Sequence, residues 1–415
     1  MDKLFNCYHK LGRLLLMKKL SLWLVLMFLL SSCVRFRPEL ITQPEDALVC
    51  LKPKEYPQFS DDEDLSSLKE AIRRNFRYLN QLEDDHKFVY GPDVYTVEEI
   101  KESLRTFSQL ITECGKDVDL LNHRIREEFV VYRAVGNDGK GDIFFTGYYV
   151  PVLHGSLKRS KRYCYPLYRP PNDRIVIDLG LFREEYKGQH LVARHEKGKI
   201  LPYYTHEDIV HGALKGRGLE LVWVDDRLDL FFLQVQGSGI IELDTGDTMF
   251  VGYAGSNGHP YRSIGKLLVN EGKLTWEELS MQSIKRYLHE HPEEIDRVLF
   301  YNPSYVFFQP TEETAIGYIG VPLVDGRAIA TDRFLFPQGA LAYVQTVKPQ
   351  LNAKGEIKNW IPLSRFVLNQ DTGGAIRGPG RVDFFWGKGK YAEIAAGHMK
   401  EHGFLYFLVK KKKVS

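Results

Sequence analysis

At Phe129 the apolar pattern of this chain changes period, and no other feature constrains the fold as strongly. Before that point apolar residues recur at helical spacing, with Leu65, Leu68, Ile72, Phe76 and Leu79 forming one stripe over residues 65–82. The acids Asp61, Asp62, Glu63 and Asp64 stand ahead of that stripe, where a helix N-terminus favours negative charge. Thr96 with Glu99 is a capping-box pattern for a second helix reaching about residue 111, and residues 117–128 read as a third. The acids of these helices are expected on solvated faces. From Phe129 on, apolar residues alternate every second position. Residues 129–135 and 142–150 read as strands, and many short strands bounded by Gly, Asp or Asn follow. Residues 240–243 and 248–253, joined by Asp244–Thr245–Gly246–Asp247, read as a hairpin. Helices are expected at 264–270 and at 275–289, the second opened by Thr275 and Glu278. Further strands are expected at 304–309, 328–331, 340–345, 360–368 and 404–409.

The chain has 415 residues, enough for two or three domains or for one domain with a large insertion. A formal net charge of +2 gives no electrostatic case for nucleic acid as a partner. Aromatic residues at 13% suit sugar rings and apolar cores alike. The basic run at 410–413 reads as a solvated terminus.

Near the N-terminus, Lys18 and Lys19 precede an apolar run over residues 20–30, and the small residues Ser31 and Ser32 lead to Cys33. That order is a charged region, a short apolar region and a cleavage site. The run is shorter than the roughly 20 residues a membrane-spanning helix needs. Leu30–Ser31–Ser32–Cys33 resembles a bacterial lipobox, which implies lipidation at Cys33 and a signal peptide over residues 1–33. Met17 is the natural start of such a signal. Val34 rather than Asp after the cysteine resembles the pattern sorted to the outer membrane, facing the periplasm. Residues 34–60 are expected to form a tether. Cys50, Cys114 and Cys164 are too sparse for a disulfide framework, though one bridge is open to them.

The stretch Phe366 to Gly387 holds two acids, Asp371 and Asp383, on the ends of apolar runs across a glycine-rich bend containing Gly373, Gly374, Gly378 and Gly380. A carboxyl flanked by Val382, Phe384, Phe385 and Trp386 loses hydration, which raises its pKa and suits it to protonate a leaving group. The same residues also describe an acid on the solvent face of an edge strand.

Four longer motifs then converge. Phe145–Thr146–Gly147–Tyr148–Tyr149–Val150–Pro151 resembles the aromatic motif of the membrane-bound lytic murein transglycosylase A family. The runs from Phe231 to Gly239, from Tyr253 to Gly265 and from Asn302 to Phe308 are similar to that family's motifs as well. The region around Asp371 and Asp383 resembles its closing three-aspartate region, with Asp332 as the first acid, and the likeness runs from about Phe129 to Val409. The loop at 378–382 is slightly longer than the family form.

The resemblance implies a mainly β fold. A double-psi β-barrel with flanking N-terminal helices would span 61–150 and 312–410, a second β-rich domain would be inserted at 151–311, and a glycan groove would lie between them. It implies cleavage of peptidoglycan strands between N-acetylmuramic acid and N-acetylglucosamine with closure of a 1,6-anhydro ring. Asp383 would be the catalytic acid, and Asp371 and Asp332 supporting acids. Gln236, Ser238, Gly239, Asn257, Gly373 and Gly374 are candidates to orient the glycan, and Tyr148 and Tyr261 to stack on it. One acid suffices because the C6 hydroxyl of the same sugar attacks at high effective molarity. No cofactor or metal is expected. The expected partners are glycan strands, a membrane reached through the lipid and a wall-remodelling complex.

Several other signals point elsewhere. Asp-Thr-Gly occurs at Asp244 and again at Asp371, a pattern found in aspartic proteases, yet the first copy sits where a hairpin turn belongs. His398 and His402 stand four apart on an expected helix, a spacing that can hold zinc. Gly237–Ser238–Gly239 lacks the outer glycines of a nucleophile elbow. A two-carboxylate hydrolase with Asp371 as base and a non-catalytic wall-glycan-binding protein are the remaining alternatives.

Overall fold

The computed structural model describes residues 41–115, 117–312 and 315–412. Cys33 and the expected signal segment lie outside the described residues. None of the described helices is long and apolar enough to cross a membrane.

Short helical turns aside, the N-terminal part runs β1 (Leu48–Cys50), α1 (Leu65–Leu79), β2 (Lys87–Tyr90), β3 (Asp93–Thr96), α2 (Val97–Cys114), α3 (Val118–Glu128), β4 (Phe129–Ala134) and β5 (Ile143–Val150). A middle part follows with β6 (Val152–Ser156), β7 (Tyr165–Tyr168), β8 (Ile175–Asp178), β9 (His190–Glu196), β10 (Lys199–Pro202), β11 (Glu220–Val224), α4 (Arg227–Gln236), β12 (Ser238–Leu243), β13 (Thr248–Ser256), α5 (Ile264–Asn270), α6 (Met281–Glu290), α7 (Ile295–Phe300) and β14 (Val306–Thr311). The last part is β15 (Ala328–Ala330), β16 (Leu341–Leu351), β17 (Ile357–Asp371), β18 (Arg381–Lys388), α8 (Lys390–His398) and β19 (Lys400–Lys410).

The sheet β19–β16–β17–β15–β18–β5 closes on itself because β5 also pairs with β19, giving a six-stranded barrel, and β4 and β1 extend it beyond β19. Closure removes two free edges. The middle part forms a six-stranded sheet ordered β14–β13–β12–β6–β11–β7 and a separate three-stranded sheet ordered β10–β9–β8. Val150, Ala328 and Phe385 of the barrel pack with Ile240 and Phe250 of the six-stranded sheet, so the two sheets meet at an apolar seam. The fold is mainly β, with the helices α1 to α3 on the N-terminal side.

The helix starts follow local chemistry. Asp64 accepts from Ser66 N at 2.7 Å to start α1. At α2, Thr96 N donates to Glu99 at 2.7 Å and Glu99 N donates to the Thr96 hydroxyl at 3.2 Å, satisfying two otherwise unpaired amides. The expected hairpin is β12–β13.

Four expectations change. Residues 41–60 are not tether: β1 pairs with β4, and Phe59 is buried against Tyr343 and Phe366. Asp61 and Asp62 are not on a solvated face, because each pairs with a buried arginine, Arg327 and Arg365 respectively. Thr275 and Glu278 make their capping hydrogen bonds around a single turn, whereas α6 begins at Met281, capped by Ser280. The basic run begins inside β19, where Lys410 pairs with Glu102, while Lys411 and Lys412 are exposed as expected and Lys412 Nζ donates to Val94 O at 2.9 Å. Cys50, Cys114 and Cys164 are free thiols. The helix α4 went unread because its apolar residues, Leu228, Leu230, Phe231, Phe232 and Leu233, are buried all round and leave no amphipathic stripe.

Candidate active site

Strand pairing brings the two acids to one row. On the short central strand β15, Ala330 is opposite Asp371 of β17 on one side and Asp383 of β18 on the other. Asp383 in turn is opposite Thr146 of β5. Strands lie about 4.8 Å apart, so the two acid-bearing backbones are separated by ~10 Å across Ala330. Side chains two apart share a face, so Thr146 and Tyr148 on β5, and Arg381, Asp383 and Phe385 on β18, all point the same way.

Asp371 has both carboxyl oxygens engaged. Tyr318 N and Thr372 N donate to Oδ1 at 3.0 and 2.9 Å, and the Tyr148 hydroxyl donates to Oδ2 at 2.9 Å. Burial nevertheless pushes its pKa up to about 6, with the charge of Asp383 adding to the rise against the lowering effect of those hydrogen bonds. Asp383 is different. The Thr146 hydroxyl donates to Oδ1, and Oδ2 has no protein donor among the described residues. Burial raises its pKa, opposed by Arg381 and by the Thr146 hydrogen bond. Arg381 Nη2 donates to Thr146 Oγ1 at 2.9 Å, so guanidinium, hydroxyl and carboxyl form a chain. Tyr148 is also pushed up, by burial and then by both acids.

Asp332 lies two residues past β15 and fastens loops. Its Oδ2 accepts from Gly378 N at 2.8 Å and its Oδ1 from Phe334 N at 3.2 Å. It therefore holds the bend between the other two acids in place without joining their row. Within that bend, Gly374 has open space around it, and neither Gly373 N nor Gly374 N has a protein acceptor among the described residues.

The other expected residues divide. Tyr261 is 37% exposed and makes no direct contact with the acids among the described residues; the charges of Arg381 and Asp383 influence its phenol, whose pKa is raised chiefly by desolvation. Gln236 ends α4 and accepts from Tyr149 N at 3.0 Å, which leaves its Nε2 without a protein partner among the described residues. Ser238 starts β12 opposite Gly252. Asn257 is not a glycan ligand. It is buried, Nδ2 donates to Tyr204 O at 2.9 Å and to Pro303 O at 2.8 Å, and Oδ1 accepts from Tyr305 N at 2.9 Å and His259 N at 3.3 Å. No bonding capacity remains for a substrate. Gly239 is a packing residue, because a Cβ there would stand 2.3 Å from Leu233 Cδ1.

Three residues of the site are not among the expected ones: Thr146, Arg381 and Tyr318. Thr146 was within reach, since it sits two positions from Tyr148 on an expected strand, and Arg381 sits two positions before Asp383 beside its apolar run. Tyr318 is joined to Asp371 only by tertiary contact.

The set-aside signals also resolve. Asp244 sits in the β12–β13 turn with its N–H on Gly155 O, and the acid whose charge bears on Asp371 is Asp383. Asp244 and Asp371 therefore form no protease dyad. His398 ends α8 while His402 lies on β19 beside Asp142, so the pair shares no helix.

A mainly β barrel with two unequal acids in one strand row is the class this site defines, and known proteins of the same build narrow it. Residues 144–309 match the family model described as the MltA specific insert domain, and residues 327–409 match the 3D domain. The membrane-bound lytic murein transglycosylase A of Escherichia coli (strain K12) is 34% identical over 280 residues, covering 67% of this chain and 68% of that protein. A solved membrane-bound lytic murein transglycosylase from Agrobacterium tumefaciens superposes with a TM-score of 0.71 at 29% identity, over 88% of this chain and 98% of that one. E. coli MltA with bound chitohexaose superposes with a TM-score of 0.67 at 25% identity, over 91% and 98%. The chain belongs to the membrane-bound lytic murein transglycosylase A family, a family of enzymes.

Proposed function

We propose that this enzyme cleaves the β-1,4 bond between N-acetylmuramic acid and N-acetylglucosamine in peptidoglycan and releases 1,6-anhydro-N-acetylmuramic acid ends, with Asp383 as acid and then base. The observation that carries this reading is the inequality of the two carboxyls. Asp383 keeps one oxygen without a protein donor, whereas both oxygens of Asp371 are taken. Geometry precedes pKa in choosing a catalytic acid.

The proton of Asp383 passes to the glycosidic oxygen as the bond from C1 to that oxygen breaks. The C6 oxygen of the same sugar then bonds to C1, and its proton goes to the Asp383 carboxylate, restoring the acid. No water is consumed. A hydrolase would need a second carboxyl free to activate water, and the three donors on Asp371 oppose that role. Tyr148, Tyr261, Gln236, Ser238 and the free amides of Gly373 and Gly374 are the groups we assign to holding the sugar. The names of the relatives, and the chitohexaose held by E. coli MltA, support a glycan in the groove between a barrel domain at 61–150 and 312–410 and a domain inserted at 151–311. We further place the protein at the outer membrane, facing the periplasm through lipid on Cys33, with a wall-remodelling complex as partner. Mass spectrometry of digested sacculi decides the chemistry: anhydro ends support it, while reducing ends, or no products, overturn it.

The pH profile follows from the neighbours of Asp383. Its protonated form starts the cycle, so kcat/KM falls as pH rises through its raised pKa. Thr146→Val and Arg381→Gln remove influences that lower it and move the limb to higher pH. Limbs that stay fixed in both variants would show that another group titrates.

A further inference from the structure

Part of the middle region carries a charge that the rest of the chain does not. Residues 157–217 hold 13 lysines and arginines against 7 acids, a net of +6 in a chain whose net charge is +2, so the remainder is net −4. The densest part is Lys158–Arg159–Ser160–Lys161–Arg162, between β6 and β7, and all four of its cations are exposed.

Hydrogen bonds fix this loop. Ser156 Oγ accepts from Lys158 N at 3.1 Å, Ser160 Oγ accepts from Tyr163 N at 3.0 Å, and Ser160 N donates to Tyr163 O at 2.9 Å. The Arg159 guanidinium lies over the Trp223 ring at 5.6 Å, and that of Arg162 over the Tyr163 ring at 5.1 Å. Stacking on a ring steadies a long side chain and leaves its N–H edge free to bind. Arg162 pairs with Asp225 at 3.1 Å, whereas Lys158, Arg159 and Lys161 have no acid partner among the described residues.

The loop stands beside the groove side of the sheet but away from the acid row. β6 starts at Val152, which pairs with Ile240 of the apolar seam, and ends at Ser156, about 13 Å further on. Tyr163 shares a small cavity with Glu242, Asp244 and Asp247, and His154 faces Glu242 at 3.5 Å. The surface is therefore cationic on one side of Tyr163 and acidic on the other.

Resting on the reading of peptidoglycan as the substrate, we propose that the loop at 157–163 is a docking site for the stem peptides of the wall, with Lys158, Arg159 and Lys161 on their carboxylates. Stem peptides carry several carboxylates and the amino group of a diamino acid, which suits a surface bearing both charges. A uniformly anionic lipid surface would be repelled by Glu242, Asp244 and Asp247. A stem of about five residues spans ~17 Å when extended, so one rooted on a glycan in the groove reaches the loop. The loop thus holds the enzyme on peptide-bearing wall without touching the sugar that reacts.

The test measures binding of the full-length protein to insoluble sacculi before and after an amidase has removed the stem peptides. It is read on ice with Asp383→Asn throughout, so that the polymer stays whole. The loop variant combines Lys158→Gln, Arg159→Gln and Lys161→Gln. A control variant, with Lys54→Gln, Lys354→Gln and Lys358→Gln, removes the same charge from exposed positions elsewhere. On peptide-bearing sacculi at low salt the loop variant should bind about tenfold more weakly, the product of three exposed pairs, while the control stays within about twofold. Salt at about 0.5 M should erase the difference. On peptide-free glycan the loop variant and its parent should bind alike. Equal losses in both variants, an equal loss on peptide-free glycan, a difference that survives salt, or no loss at all overturns the proposal. So does a loss seen only on vesicles of phosphatidylglycerol and phosphatidylethanolamine. With Asp383 restored, the loop variant should turn over peptide-free strands at an unchanged rate, and the ends of those products judge the Asp383 reading separately.

Discussion

On the proposed chemistry, Asp383→Asn should leave a protein that folds and binds glycan but releases anhydro ends at a rate lower by roughly 100- to 10,000-fold, the range for losing a positioned general acid. The amide is close in size to the carboxyl and can still accept from the Thr146 hydroxyl, so the strand row is preserved. What it cannot do is give a proton to the leaving oxygen and take one from the C6 hydroxyl. The measurement is release of anhydro-muropeptides from sacculi beside retention on insoluble peptidoglycan. Turnover within a factor of a few of the unaltered enzyme would remove Asp383 from the mechanism. Loss of retention together with turnover would point to a binding role instead.

Arg327→Ala should cost about 3–5 kcal/mol of stability, the range for breaking a buried ion pair and stranding its partner. Arg327 is 0% exposed and uses all five of its N–H donors. Two go to Asp61 at 2.7 and 2.9 Å, and one each goes to Ser67 Oγ, Phe366 O and Asp64 O. Alanine takes from Asp61 its ion-pair partner, and the segment that starts α1 loses its clasp on β17. Urea unfolding of the single variant and of Arg327→Met combined with Asp61→Leu separates the causes. The double variant should recover most of the loss, because neither charge is then stranded. A single variant within about 1 kcal/mol of the starting protein would mean that the pair is dispensable.

How much of this was legible in the sequence differs from element to element. The alternation after Phe129 and the capping pair Thr96 and Glu99 were readable because each depends on residues a few positions apart. So was the bend carrying Asp371 and Asp383. By contrast, the partner of Asp61 lies 266 residues away, and that of Asp371, Tyr148, lies 223 away. No local pattern announces such pairs. Asn257 looked like a ligand because it is polar in a turn-rich stretch, and only its four internal hydrogen bonds show that it is a clasp. His398 and His402 looked like one helical face, and the start of β19 between them separates them.

By itself, then, the sequence determined the mainly β character, the helices before Phe129 and the family. These rest on periodicity, capping and motif order, which act over short spans of chain. Only the tertiary structure decided that Asp371 and Asp383 flank Ala330 in one row, that their hydrogen bonding is unequal, and that Thr146 and Arg381 stand behind the second of them. Those facts come from barrel closure, which fixes the register of strands distant in sequence. Burial and hydrogen bonding then distinguish two carboxyls that are the same residue type.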